Sequence, residues 1–230
     1  MRTHSARLAI AAMMVLGAQT VQAQTGPVDP CAGATGGSCT TGALSQPIEL
    51  VRTAPVRNSA FISQIGDGHS ASITQSSTRQ SASIVQRGDS QSANVSQNGA
   101  GSAVLEIDQA GLLNSFVSTQ GAADGGGNIA VAAQDGQENA ILLDQSATAG
   151  SVNTAMLAQQ GNGNQMQLGQ NGSDNRAELV QLGDNNAMTA TQNGSANQLR
   201  WVQNGSGLSD LQIVQSGNQA MSITQTNGGS

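Results

Sequence analysis

The chain has 230 residues, of which 14 are Asp or Glu and 8 are Lys or Arg, so its formal net charge is −6 at pH 7. It contains 29 Gly but only two Phe, one Trp and no Tyr, and so polar a chain buries too little apolar surface for an ordinary globular domain unless repeated units share one narrow core. The acidic balance also argues against a nucleic-acid partner, whose phosphates require a basic surface.

Residues 1–23 have the pattern of a secretory signal peptide. Arg2 and Arg7 are followed by the short apolar stretch Leu8–Ala18, and Ala23 ends a small-residue cleavage site. The apolar stretch is too short to span a membrane. The sequence therefore predicts an exported protein that begins at Gln24 and does not insert into a membrane.

Residues 24–57 form an irregular segment that contains Pro and Gly and the only two cysteines, Cys31 and Cys39. In an oxidising compartment these two residues could close a small disulfide loop. A two-cysteine metal site is the alternative, but no histidine lies near enough in the sequence to complete it. The disulfide is the favoured interpretation, and no metal site is predicted.

Residues 58–230 are repetitive. Fifteen glutamines recur, mostly at intervals of 11 residues, and each ends a seven-residue block of the form Asn-x-Ala-x-Ile-x-Gln. The position two before the glutamine is apolar in fourteen blocks, and the position four before it is apolar in all fifteen, down to Leu199, Leu211 and Met221. This alternation is typical of a β-strand with one buried face. Gly follows two residues after eleven of the glutamines and permits the positive φ of a tight turn.

The reach of the chain predicts how these strands are arranged. A seven-residue strand spans roughly 20 Å, whereas a four-residue connection spans only about 13 Å, so the connection can only cross to an opposing sheet about 10 Å away. Two blocks then form one coil, and strand n stacks in parallel on strand n+2. The prediction is an all-β fold, a β-solenoid of about seven and a half two-stranded coils. A flat antiparallel meander is the alternative; the long connections after Gln120 and Gln145 both follow even-numbered strands, which favours the solenoid.

Amides at both ends of the buried face are the candidate functional residues. Each Asn or Gln, stacked on the same residue type above and below, can donate and accept hydrogen bonds along the solenoid axis. His69 takes an amide position and is predicted to substitute there, whereas Phe116 and Trp201 lie on the inward phase and are predicted core residues. The predicted ladder residues are Gln64, Gln75, Gln86, Gln97, Gln170, Gln181, Gln192, Gln203, Asn164, Asn175, Asn186 and Asn197.

The repeat resembles that of the curlins, the subunits of curli fibres, which reads Ser-x5-Gln-x-Gly-x2-Asn-x-Ala-x3-Gln. The segment from Gln170 through Gly172, Asn175 and Ala177 to Gln181 has the spacing of its Gln-to-Gln part. The resemblance implies a structural subunit of an extracellular, cell-surface amyloid fibre of the biofilm matrix, with a role in adhesion. It also implies that ladder amides drive self-assembly, and that a nucleator subunit and an outer-membrane secretion channel are partners.

Two other classes of function compare less well with the sequence than the fibre subunit. An enzyme is not predicted, because His69 is the one histidine after the signal peptide and no catalytic constellation or cofactor site is apparent. A monomeric secreted solenoid, such as a capped adhesin or an ice-binding protein, is the alternative hypothesis. The outward position before each glutamine reads Ser63, Thr74, Val85 and Ser96 in the first four blocks, which is not the regular Thr array of an ice-binding face.

Overall fold

The structure, a computed structural model, describes residues 55–227, which form fifteen β-strands and no α-helix. The odd-numbered strands form the eight-stranded first sheet: β1 (Ser59–Ile65), β3 (Gln80–Asp89), β5 (Ser102–Leu112), β7 (Gly127–Gln137), β9 (Val152–Asn162), β11 (Arg176–Leu182), β13 (Gln198–Asn204) and β15 (Ala220–Thr226). The even-numbered strands form the seven-stranded second sheet: β2 (Ser70–Gln75), β4 (Ser92–Asn98), β6 (Ser115–Ala122), β8 (Ala140–Ala147), β10 (Gln165–Ser173), β12 (Ala187–Ser195) and β14 (Ile213–Ser216). No helix within residues 55–227 is long and apolar enough to cross a membrane.

Every pairing within the two sheets is parallel and joins strands two apart in the chain. In the first sheet, for example, Ile62 pairs with Ile84 and Gln64 with Gln86. In the second sheet, β10 pairs with β8 on one side and with β12 on the other. The predicted β-solenoid of about seven and a half coils is therefore confirmed, and the antiparallel meander is excluded.

The core is a narrow apolar layer between the two sheets. It contains the Ala, Val, Ile, Leu and Met side chains of the inward positions, which are almost entirely removed from solvent in the interior coils. Phe116 and Trp201 both belong to this layer and are fully buried. Strands with one polar and one apolar face bury the apolar face against each other, which is why the alternation leads to two packed sheets.

Several strands are longer than the seven-residue block expected from the sequence. β5, β7 and β9 each have eleven residues, because pairing continues beyond the glutamine into the turn. Gly88 pairs with Gly111, and Gly111 pairs with Gly136, in the same register as the strands that precede them. The turns of successive coils thus stack as regularly as the strands.

Leu211 departs from the predicted pattern. It was expected on a buried apolar position, but it is 48% exposed and precedes β14, which begins only at Ile213. The carboxylate of Asp210 accepts hydrogen bonds from the backbone N–H groups of Thr189 and Gln212, both at 2.9 Å. This carboxylate therefore replaces the start of the strand as the partner of β12, and Leu211 turns outward.

Candidate self-assembly site

Two uninterrupted rows of glutamine side chains run along the solenoid, one in each sheet. Each glutamine is the last inward residue of its block, so parallel pairing in register places it directly on its counterpart in the next coil. The Nε2–Oε1 hydrogen bonds within the rows measure 2.7–3.0 Å. The first row contains Gln64, Gln86, Gln109, Gln134, Gln159, Gln181, Gln203 and Gln225. The second contains Gln75, Gln97, Gln120, Gln145, Gln170, Gln192 and Gln215.

The glutamine rows have a direction. In every link the Nε2 of one glutamine donates to the Oε1 of the glutamine in the following coil, as Gln145 does to Gln170 at 2.7 Å. The second proton of most Nε2 atoms goes to a backbone carbonyl of the opposite sheet, as in the 2.9 Å bond from Gln170 to Thr154. A glutamine in the interior therefore has its amide satisfied without water, and it also links the two sheets.

The asparagine rows use a different pattern of hydrogen bonds. Asn139 Oδ1 accepts from the backbone N–H of Asn164 at 3.0 Å, and Asn164 Oδ1 accepts from that of Asn186 at 3.1 Å. Asn164 Nδ2 donates to the carbonyl oxygen of Gly183 in the following turn at 2.7 Å. In the first sheet, Asn153, Asn175 and Asn197 form the equivalent series. Where asparagine occupies this position, it thus holds the start of its strand against the turn of the neighbouring coil.

Replacements in the asparagine rows show why asparagine fits best. His69 reproduces the pattern, because its Nδ1 accepts from the backbone N–H of Gln91 at 3.3 Å. Glutamine does not reproduce it fully: Gln80 Nε2 and Gln91 Oε1 are both buried without a hydrogen-bond partner. Above Gln80 the row is interrupted by Ala103, whose side chain offers no acceptor. The longer glutamine side chain therefore leaves a polar atom unpaired at each of these two positions.

A backbone feature that the sequence reasoning missed lies just before the inward amide. The residue at this position adopts a left-handed conformation in most of the repeat blocks, with φ of 50–70°. Four of these residues have side chains that disfavour positive φ, namely Arg79, Leu113, Glu138 and Ala196. The signal was present in other coils, where the position is occupied by Gly68, Gly163, Asp174, Asn185 and Asn218.

The two edges of the solenoid differ in their turns. All seven turns that follow odd-numbered strands have glycine two residues after the glutamine: Gly66, Gly88, Gly111, Gly136, Gly161, Gly183 and Gly205. A Cβ added to any of the first six would overlap the carbonyl oxygen of the glycine in the next coil. The turns that follow even-numbered strands are less uniform and include Ser77, Ala122 and Ala147 at the same position. We call these the glycine edge and the variable edge.

The structure places all twelve predicted ladder residues on the inward face. Gln86, Gln97, Gln170, Gln181, Gln192, Gln203, Asn164, Asn175, Asn186 and Asn197 are buried, at no more than 1% exposure, whereas Gln64 and Gln75 lie in the first coil and are more accessible. The equivalent glutamines in the middle of the rows, from Gln109 to Gln159, are not among the twelve predicted residues but make the same bonds. Cys31 and Cys39 lie outside the described residues.

The ends of the solenoid expose the core in cross-section. Ile62, in β1, is 42% exposed, whereas its partner Ile84 is fully buried. At the other end, Met221 in β15 is 36% exposed and its partner Leu199 is fully buried. Within residues 55–227 no strand pairs with the outer edges of the terminal strands, so backbone donors and acceptors are unpaired there as well.

Charged residues contribute little to the arrangement. The ion pairs Arg79–Asp124 and Arg87–Asp108 join exposed side chains on the surface, where such pairs stabilise a fold by at most about 1 kcal/mol. Among the described residues there is no cluster of His, Cys, Asp and Glu side chains that could hold a metal ion. The organised polar groups of this molecule are its amide rows.

Fold and amide rows together define a class of protein: a parallel two-sheet β-solenoid built from short strand-turn repeats. The family model of the curlin associated repeat matches residues 56–76 and 150–183, which include β1, β2, β9, β10 and β11. These two segments therefore carry curlin associated repeats. Curlin repeats characterise structural, non-enzymatic proteins. Searches of the curated proteins and of the solved structures gave no match.

Proposed function

We propose that this protein is a structural subunit of an extracellular, curli-type amyloid fibre and that it assembles by stacking the ends of its solenoid. The observation that carries the proposal is the open core at both ends, where Ile62 and Met221 are 42% and 36% exposed. A second copy stacked on either end would bury these side chains as the interior coils bury their equivalents. Burial of apolar surface is the main favourable contribution to such an association.

The hydrogen-bonding groups at the two ends are complementary. At the first coil, the Oε1 atoms of Gln64 and Gln75 receive no donor from within residues 55–227. At the last coil, Gln225 Nε2 donates only to the Ser209 carbonyl, at 3.3 Å, and therefore has a proton to spare. One end thus offers acceptors and the other offers a donor, which supports head-to-tail stacking of copies.

Unpaired strand edges support the same proposal. An exposed edge presents a row of backbone N–H and C=O groups that can pair with another chain, and many proteins cover such edges to remain monomeric. Endless parallel stacking of this kind, with amide rows along the axis, is the arrangement of cross-β fibres. The predicted disulfide between Cys31 and Cys39 is not required for this assembly.

The biological setting is proposed from the curlin repeats and the predicted signal peptide. Export from the cell, display as a cell-surface fibre of the biofilm matrix and a role in adhesion all accord with the curlin associated repeats at residues 56–76 and 150–183. A nucleator subunit and an outer-membrane secretion channel are the proposed partners. Residues 24–57 are proposed to remain a separate segment before the solenoid domain, residues 58–230.

The test is fibre formation by purified protein that begins at Gln24. After dilution from denaturant, we expect fibres to appear after a lag, to bind thioflavin and to give a reflection at about 4.7–4.8 Å. Preformed fibre fragments should shorten the lag, because they present complete strand edges. A monomer that stays stable for days at high concentration would reject the proposal in favour of the monomeric binding solenoid.

A further inference from the structure

Residues 55–227 form an odd number of strands, and this restricts how two copies can stack. The first sheet has eight of these strands and the second has seven, so the described solenoid consists of seven complete coils and one further strand. We infer that, in the fibre, β1 of each copy pairs with β14 of the preceding copy and β2 pairs with β15. Successive copies are then related by a half-turn about the fibre axis. This inference rests on the proposed function.

The path of the chain identifies the next free strand position. Strands alternate between the sheets, so the strand after β15 would belong to the second sheet and would lie on the outer edge of β14. A following copy that continues this path places its β1 there, and its β2 then lies on β15. Every strand position at the junction is then filled in both sheets, and successive strands continue to alternate between the two sheets from one copy to the next.

A half-turn about the axis makes this placement compatible with parallel pairing. Consecutive strands of the chain run in opposite directions, so β1 in its own copy runs like β15 and opposite to β14. Rotation by 180° about the axis reverses the strand direction and keeps inward side chains inward. After that rotation, β1 runs parallel to β14, with Ile62 over Ile213 and Gln64 over Gln215.

The two sheets are chemically equivalent at the positions that meet. Both have a glutamine row, and in both rows the donors point toward the C-terminal end of the solenoid. At the junction, Gln215 Nε2 meets the free Oε1 of Gln64, and Gln225 Nε2 meets that of Gln75. Within its own copy, one proton of Gln215 Nε2 goes to the Gln219 carbonyl at 3.3 Å, the contact that the new bond replaces.

Stacking without the half-turn leaves a gap. If β1 of the following copy were placed on β15, then β2 of that copy would lie in the same sheet as β14. One empty strand position would separate β2 from β14. The inward side chains of Ile213 and Ile73 would face this empty position, and the second glutamine row would be interrupted between Gln215 and Gln75. Only an additional strand, such as one from residues 24–57 of the following copy, could fill it.

Cysteine pairs on the outer faces distinguish the two arrangements. In the inferred junction, Ser63 lies beside Val214 and Thr74 lies beside Thr224, because Gln64 pairs with Gln215 and Gln75 pairs with Gln225. In stacking without the half-turn, Ser63 lies beside Thr224 instead. Residues paired in register on adjacent strands are about 4.8 Å apart, within the range of a disulfide.

The experiment compares three double variants in a background where Cys31→Ser and Cys39→Ser remove the native thiols. After fibre formation and mild oxidation, Ser63→Cys with Val214→Cys should give a ladder of covalent oligomers, which a thiol reductant converts to monomer. Thr74→Cys with Thr224→Cys should do the same. Ser63→Cys with Thr224→Cys is the matched control and should remain monomeric in denaturing gels.

The possible outcomes separate this inference from the proposed function. Fibres in which only the Ser63 and Thr224 pair is linked would retain the function and overturn the inference, as would fibres in which no pair is linked. Failure of the thiol-free background to form fibres would reject the function, and the inference with it. A helical reconstruction gives a second measurement: each copy should add about 36 Å, or seven and a half coils at ~4.8 Å, rather than about 38 Å for eight.

Discussion

At the scale of single residues, the stability of this solenoid depends on amides whose hydrogen bonds are all made within the protein. Gln145 accepts from Gln120, donates to Gln170 and donates to the Ile129 carbonyl of the opposite sheet. A buried amide in a dry core is costly when unpaired, so each member of a row depends on its neighbours. The difference between glutamine and asparagine positions follows from the same requirement, since only one side-chain length reaches each set of partners.

We predict that Gln145→Leu lowers the free energy of unfolding of freshly prepared monomer by ~2–6 kcal/mol. The substitution leaves Gln120 Nε2 without its acceptor and Gln170 Oε1 without its donor, and each unpaired buried group costs about 1–3 kcal/mol. Gln167→Leu is the matched control, because Gln167 is exposed on the outer face of β10. Equal losses in urea unfolding would show that the rows do not stabilise the fold.

We predict that Gln91→Asn raises the free energy of unfolding by about 1 kcal/mol. The buried Oε1 of Gln91 has no partner, whereas asparagine at the equivalent place in the next coil, Asn114, accepts from the backbone N–H of Asn139 at 3.0 Å. A shorter side chain should place its oxygen to accept from the Asn114 backbone and recover about the value of one hydrogen bond. Asn114→Gln is the reverse control and should be destabilising in the same assay.

At the scale of strands and turns, the two edges tolerate changes of length differently. Counted from each glutamine to the first inward residue of the next block, the connections after Gln120 and Gln145 are the longest, and both lie on the variable edge. On the glycine edge, only the connection from β13 to β14 is lengthened, and there β14 is reduced to four residues and Leu211 is exposed. Stacked glycine carbonyls leave no space for an extra residue, so the adjoining strand is shortened instead.

We predict that one Ser inserted between Asp124 and Gly125, on the variable edge, changes the unfolding free energy and the rate of fibre elongation little. Lengthening a surface loop costs only about 0.6 kcal/mol per doubling of its length. One Ser inserted between Gly136 and Gln137, on the glycine edge, should reduce both quantities strongly, because it displaces Gly136 or Asn139 from the stack. Both variants add the same residue in adjacent turns, so similar effects would show that the edges do not differ.

At the scale of the whole molecule, no strand or helix within residues 55–227 caps either end of the solenoid. Each coil buries its inward face against the coils on both sides, and the terminal coils have a neighbour on one side only. Solenoids that remain monomeric require capping units with a polar outer face. Within the described residues, β1 and β15 instead have the same inward pattern as the interior strands.

We predict that Ile62→Arg blocks growth of the fibre while leaving the monomer folded. Ile62 is 42% exposed at the open end, so the change in the unfolding free energy of the monomer should stay near ~0.5 kcal/mol. Stacking would bury an unpaired charge, which should slow elongation by about tenfold or more, equivalent to ~1.4 kcal/mol. Phe61→Arg, on the outer face of the same strand, is the control, and equal inhibition by both would contradict end stacking.

The sequence by itself determined the architecture, because its information is local. Alternation with period two specifies which side chains of each block face inward, and the short reach of the connection then forces a reversal to a second sheet. From these two facts the parallel stacking of strand n on strand n+2 could be predicted, and the inward position of Gln145 or Trp201 follows from its phase in the block. The length of β14 and the exposure of Leu211 could not be predicted. They depend on a hydrogen bond from the Thr189 backbone N–H in β12 to the Asp210 carboxylate, and the sequence does not show that these two residues meet.

Only the tertiary structure determines the features that arise from contacts between adjacent coils. The residues that meet in these contacts lie 22–25 residues apart in the chain. Three such features depend on stacked neighbours. The glutamine bonds all point in one direction, Asn139 Oδ1 accepts a hydrogen bond from the backbone N–H of Asn164, and Leu113 has a left-handed conformation. The repeat pattern of the sequence shows which residues recur. It does not show how close the turn of one coil lies to the turn of the next coil. That distance makes glycine necessary on one edge and optional on the other, although both edges are built from the same repeat.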